Sequence, residues 1–225
     1  VHGFASNSHM NWVTPGWLKC LSEAGYHVVS FDNRGHGLSE KPHDEEKYGA
    51  HLMAGDVNAL CQHLNLSRIH LMGYSMGARI SAFVTMEYQH LLKSVIFAGM
   101  GFHMVRGMGN PEPIARALEA ETAEEVTNPA ARNFRDFAEV TKSDLKALAA
   151  CIRSTRKPVT KEALANIKVP SLVAVGTTDV IAGSGEKLVE LIPGAKHLPI
   201  PDRDHMRAVG DKAYKEGVLE FLADL

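Results

Sequence analysis

The sequence predicts an α/β protein built on a mainly parallel sheet, and three observations predict it. Short apolar runs alternate with amphipathic helical stretches along most of the 225 residues. One run, Ile69-His70-Leu71-Met72, leads directly into Gly73-Tyr74-Ser75-Met76-Gly77, the pattern of a sharp strand-to-helix turn that pushes a serine hydroxyl out at the sheet's tip. Two more polar candidates, Asp179 and His205, stand just past the carboxyl ends of later apolar runs, where open α/β sheets place their sites.

The elements follow in order. Strands are expected at Tyr26–Phe31, Arg68–Met72, Lys93–Ala98, Ser171–Val175 and Lys196–Ile200. Between the first two, Tyr48–Leu64 carries Met53, Val57, Leu60, Cys61 and Leu64 at helical spacing. After the serine turn, Met76, Ile80, Phe83 and Val84 mark an amphipathic helix, and Tyr214, Val218, Phe221, Leu222 and Leu225 mark another at the C-terminal end. These stripes are packing faces for helices laid on the sheet. The alternation breaks between Met100 and Lys168. Glycines and prolines from Gly99 to Pro113 make a flexible exit, and helical stretches follow at Ile114–Glu121, Ala130–Val140 and Ser143–Arg153, with a shorter one before Val169-Pro170. The chain therefore divides into a core, residues 1–99 and 169–225, and a helical insertion, residues 100–168, over the sheet's carboxyl edge. An elaborated crossover helix is the alternative reading of that insertion.

Composition excludes several functions. Apolar content of 45% and charged content of 22% are ordinary for a globular protein. A formal charge of −2 gives no reason to expect nucleic acid or an anionic membrane surface. No apolar run approaches the roughly 20 residues that cross a bilayer. No charged n-region and apolar h-region is visible, so a cytoplasmic location is the expectation. Cys20, Cys61 and Cys151 are far apart with no C-x-x-C pair, which favours free thiols, buried at Cys20 and Cys61. The histidines form no metal-binding pattern, and the paired glycines lack the acidic residue of a dinucleotide loop. No metal or cofactor is expected.

The chemistry is carried by Ser75. A serine hydroxyl is a weak nucleophile at neutral pH and needs a base, usually a histidine that a carboxylate holds in one tautomer. Asp179 and His205 follow in the order Ser, Asp, His, with Asp202 and Asp204 as rival carboxylates and His197 and His36 as rival bases. The oxyanion of a tetrahedral intermediate needs two donors. The backbone N–H of Met76, at the start of the following helix, is one. The N–H of Phe4, in a loop where Gly3 lets the backbone approach, is the other. Phe4 and Tyr74 flank the expected substrate pocket. Met100, Met104 and Met108 are read as gap-fillers in preference to pocket lining, and Asp32 with Arg34 as a turn-bracing pair.

In His2-Gly3-Phe4, Asp32-Asn33-Arg34-Gly35-His36-Gly37, Gly73-Tyr74-Ser75-Met76-Gly77, Gly176-Thr177-Thr178-Asp179 and Asp204-His205 the chain resembles the α/β-hydrolase superfamily, in its esterase and lipase-like branch with a helical cap. The resemblance implies a catalytic triad of Ser75, Asp179 and His205, and a small-molecule ester with water as substrates. Carbon–carbon bond hydrolysis, lactone or thioester cleavage on the same triad, and a non-catalytic binding role, are the alternatives. Asp204 stands where the family commonly has glycine. The family also places three strands before the His-Gly pair, the last of them central in the sheet. Only Val1 represents them here, so N-terminal strands are expected to be missing.

Overall fold

In the computed structural model, which describes residues 1–225, four strands form one parallel sheet: β1 Ile69–Tyr74, β2 Leu92–Ala98, β3 Ser171–Gly176 and β4 Lys196–Ile200, side by side in that order. All three pairings are parallel, with Gly73 opposite Phe97, Phe97 opposite Val173, and Val173 opposite His197. Parallel neighbours need crossovers, and helices supply them. Between β1 and β2 runs α3 Met76–Tyr88; between β2 and β3 run α4 His103–Arg106, α5 Glu112–Glu119, α6 Pro129–Val140, α7 Leu145–Ser154 and α8 Lys161–Ala165; between β3 and β4 runs α9 Gly185–Val189; α1 Trp17–Glu23 and α2 Ala50–His63 precede β1, and α10 Lys212–Ala223 follows β4.

Strand alternation sorts the apolar side chains into two layers. Val95, Phe97, Val173 and Val175 face α2, α3 and α9 in one cluster. Ile96, Ala98, Leu172 and Ala174 face α1 and α10 in the other, around Trp17, Tyr214, Val218 and Phe221. The segment between β2 and β3 contains helices joined by loops and no strand. Its helices start where the sequence supplies caps: Asn128, Asp144 and Thr160 each accept the N–H three residues on, from Ala131, Ala147 and Ala163. Its apolar residues, Ile114, Leu118, Ala138 and Leu148 among them, belong to the same cluster as the first sheet face. It is therefore built onto the sheet and has no separate core.

One expected strand does not form. Residues 26–31 carry the right alternation but no ladder, because nothing lies within pairing distance. A cavity of about 380 Å³, lined by Val1, Tyr26–Phe31 and Ile69–Met72 among others, separates them from β1. At its top Val1 extends the sheet by a single bridge: its nitrogen donates to Met72 O at 2.7 Å, and Tyr74 N donates to Val1 O at 3.0 Å. No helix is long and apolar enough to cross a membrane.

Candidate active site

Ser75 sits between β1 and α3 with φ 55° and ψ −114°, a backbone conformation that L-residues rarely adopt. The turn is tight enough that a Cβ at Gly73 would collide with Gly77 O and Ser81 Oγ, and one at Gly77 with Val1 O. Both flanking glycines are therefore required on steric grounds. The strain has a use: it aims Oγ away from the sheet.

His205 and Asp179 meet that hydroxyl from the loops after β4 and β3. His205 Nε2 lies 2.9 Å from Ser75 Oγ, and His205 Nδ1 lies 2.8 Å from Asp179 Oδ2. The other Asp179 oxygen accepts from Ile181 N at 2.9 Å and Ala182 N at 2.8 Å. Because a carboxylate only accepts, Nδ1 of the ring must be the donor in that pair, which leaves the Nε2 lone pair to face the serine. All three groups are largely shielded, with Asp179 and His205 at 7% and 8% exposure. Of the rival carboxylates, Asp204 caps its own turn by accepting from Met206 N and Arg207 N. The rival histidines are elsewhere: His197 lies against Gly185, and His36 bonds to the Phe4 loop.

Phe4, Ser75 and Met76 line one small cavity, of about 30 Å³. Met76 is the first residue of α3, so its N–H has no intrahelical partner, and Phe4 N–H has no backbone acceptor either. The Phe4 loop is held by two buried histidines. Ala5 N donates to His36 Nε2 at 3.2 Å, and Asn33 N donates to His2 Nε2 at 2.9 Å. The Nδ1 atoms of His36 and His2 lie 3.0 and 2.8 Å from Arg34 O and Gly3 O. Burial is the main cause that pushes His36 down to about 4 and His2 well below the usual histidine range. Gly3 N is fixed in turn by Asn11 Oδ1 at 2.9 Å.

Two expectations need correction. The expectation that Tyr74 flanks the substrate fails, since Tyr74 lines neither the cavity at Ser75 nor the larger one adjoining it. Its parity along β1 matches Met72, so it points to the α1 and α10 layer. There its hydroxyl donates to His205 O at 2.7 Å, supporting the histidine loop from behind. Met108 was read as a gap-filler, yet it lines the Ser75 cavity, while Met100 and Met104 are fully buried. Asp32 and Arg34 both brace turns, but separately: Asp32 accepts from Ser8 N and Leu38 N, and Arg34 makes a two-pronged pair with Asp56.

The sequence reading passed over Arg79, Phe134, Ile152, Thr155, Arg156 and Ile181, which complete the inner cavity. Arg79 carried a signal, a charge four residues after Ser75 in a helix that is otherwise apolar on that side. It is 1% exposed and donates to three carbonyls, those of His103, Met104 and Lys157, which ties α3 to both ends of the helical segment. Burial and then the nearby Arg156 charge push it down to about 10.

Comparison with known proteins places the fold. Residues 1–138 match the family described as alpha/beta hydrolase fold. Among curated proteins the chain is similar to 2-(acetamidomethylene)succinate hydrolase of Mesorhizobium japonicum, 37% identical over 95 residues, 42% of this chain and 32% of that protein. It is also similar to non-heme chloroperoxidase CPO-A1 of Kitasatospora aureofaciens, 25% identical over 253 residues, 99% of this chain and 90% of that one. The match to the first of these spans about a third of that protein's length. A solved hydrolase structure from Pseudomonas aeruginosa has the same fold, with a TM-score of 0.81 at 24% identity over 98% of this chain and 87% of that one.

Proposed function

We propose that this chain, which belongs to the alpha/beta hydrolase fold family, is a serine hydrolase that cleaves small to medium carboxylic esters through an acyl-enzyme. The observation that carries the reading is the unbroken chain from Asp179 through His205 to Ser75 at 2.8 and 2.9 Å, next to two free backbone N–H groups.

Ser75 Oγ attacks the acyl carbon while His205 Nε2 takes its proton. The carbonyl electron pair moves onto oxygen, and the N–H groups of Phe4 and Met76 stabilise the resulting oxyanion. As the intermediate collapses, the imidazolium protonates the leaving alkoxide, and the alcohol departs. Water then attacks the acyl-enzyme, gives a proton to His205, and the carboxylic acid leaves as Ser75 regains its hydrogen. Asp179 stays ionised throughout and holds the ring in the tautomer that can accept. The segment 100–168 acts as a cap, since Met108, Phe134, Ile152 and Arg156 from it wall the cavity at Ser75.

The test is covalent labelling with a fluorophosphonate alongside hydrolysis of p-nitrophenyl butyrate. Stoichiometric labelling that maps to Ser75, with turnover that labelling abolishes, is the expected result. Intact protein that neither labels nor turns over ester would overturn the reading and favour a binding role for the fold.

A further inference from the structure

The cavity at Ser75 adjoins a larger one. Met108, Phe134, Arg156 and Ile181 line both, and the outer cavity has a volume of about 540 Å³. Whatever part of a substrate extends beyond the scissile bond has its room there. The charged and titratable groups of that lining are His103, Arg106 and Arg156, and Arg79 stands at the inner end. No aspartate or glutamate lines either cavity.

Arg156 differs from the other shielded arginines. Arg34 is paired with Asp56, Arg135 with Glu139, and Arg153 with Glu112 and Glu119, while Arg79 is satisfied by three carbonyls. Arg156 makes one hydrogen bond, to Met108 O at 2.9 Å, and its buried Nε has no partner. Burial holds its guanidinium below the usual arginine value, and no carboxylate acts in the opposite direction. A guanidinium presents five N–H donors in a planar fork that fits a carboxylate, and it stays charged in any environment. A cation left without a counter-charge at the junction of two substrate cavities is therefore unexplained by the fold alone. Asn110 and Asn128 add uncharged polar groups to the outer lining, and Pro113, Ile114, Phe134, Val180 and Ile181 give it an apolar stretch that suits the carbon skeleton between the ester and the charge.

We propose that the preferred substrate is an ester bearing a free carboxylate, which Arg156 receives at the junction of the two cavities, with Arg106 adding positive charge at the outer one. This rests on the ester-hydrolase reading and names its substrate class. Arg156 binds and orients the carboxylate, and the bond-breaking steps are those already described.

The experiment measures kcat/KM by pH-stat for two matched pairs: monomethyl glutarate against methyl pentanoate, and 3-acetoxybenzoate against its methyl ester. The first pair carries the charge on the acyl side, the second on the alcohol side. The expected result is a preference of tenfold or more for the anionic member of at least one pair. That preference should fall to near one in Arg156→Met, stay in part in Arg156→Lys, and weaken as sodium chloride is raised in the wild-type protein. If Arg156→Met does not fold, the lysine variant and the salt series carry the test. Hydrolysis of the neutral esters with no anionic preference in either pair would overturn the inference and leave the hydrolase reading standing. So would an anionic preference that Arg156→Met retains in full. Failure of Ser75 to label, with none of the four esters cleaved, would overturn both.

Discussion

Acid should unfasten the loop that carries Phe4, and the two buried histidines set the size of the effect. His36 and His2 are each fully buried, and each has a backbone N–H pointed at Nε2. Protonation places a second donor against Ala5 N–H or Asn33 N–H, so the folded state admits only the neutral rings. The unfolded chain takes up the His36 proton near the ordinary value of about 6.5, whereas the folded chain resists it down to about 4. Between those values the unfolded state binds more protons, so stability rises with pH across the window. The stabilisation is fully present above about 6.5 and lost as pH falls through about 4. The gap between about 6.5 and about 4, at roughly 1.36 kcal/mol per pH unit, corresponds to about 3 kcal/mol from His36 alone. Urea unfolding at pH 7, 6, 5 and 4 measures it, with His36→Gln as the comparison. Glutamine can still accept from Ala5 N–H but does not titrate. The difference in unfolding free energy between wild type and His36→Gln should close by about 3 kcal/mol as pH falls from 7 to 4. Carboxylate titration is common to both proteins and cancels. A difference that stays flat over that range would refute the argument that a neutral His36 is what holds the loop.

Three further outcomes are expected. Ser75→Ala should keep the thermal transition and lower kcat on p-nitrophenyl butyrate by roughly four to six orders of magnitude, as for removal of other nucleophiles in such triads; retention of a few per cent in pure protein would remove Ser75 from the mechanism. Asp179→Asn can still accept from Ile181 N and Ala182 N, but its amide donates toward His205 Nδ1 and forces the proton onto Nε2, so kcat should fall by about 10⁴-fold with KM little changed. The cavity of about 30 Å³ beside Ser75 and the adjoining one of about 540 Å³ together bound the acyl group, and a methylene that is not buried forgoes about 0.8 kcal/mol. On p-nitrophenyl esters kcat/KM should therefore peak between about two and eight acyl carbons and fall for palmitate, with Phe134→Ala moving the peak toward longer chains; a wild-type maximum at sixteen carbons would mean that the cap opens widely.

The fold was legible where a segment carries its own evidence. The helix after Ser75 shows its period in Met76, Ile80 and Val84, and α6 and α7 show both period and caps, so their placement needed only local information. The strands β2 and β3 read as short apolar runs because both of their faces are covered. Residues 26–31 mark the limit of this approach. Their alternation is the same signal, but a strand exists only through its neighbours, and here a cavity stands where a neighbour would pair. Helix α1 shows only a weak local signal around Cys20, because its seven residues are too few for periodicity to stand out, and it is held by Trp17 packed against Tyr214 at a ring separation of 4.6 Å. That contact joins residues nearly two hundred positions apart.

The candidate site divides along the same line, and the division explains which parts of its chemistry a sequence can announce. Ser75, Asp179 and His205 each stand at the end of a strand, and parallel strands bring their carboxyl ends to one edge, so their meeting follows from topology without any long-range contact. Tyr74 is misplaced by one step of the same reasoning. Its neighbour Ser75 belongs to the turn, whereas Tyr74 still obeys the strand's two-residue period and must face the opposite layer. Arg156 offers no local sign at all. It follows α7 in a helical segment that no strand order constrains, and only the packing of that segment over Ser75 brings it to the junction of the cavities. On the proposed reading, the residues that would carry the reaction are placed by sheet topology, while the groups that would choose the substrate are placed by the packing of residues 100–168. That separation explains why Ser75, Asp179 and His205 can be read from three short motifs as candidates, while Arg156 comes to light only in the folded segment.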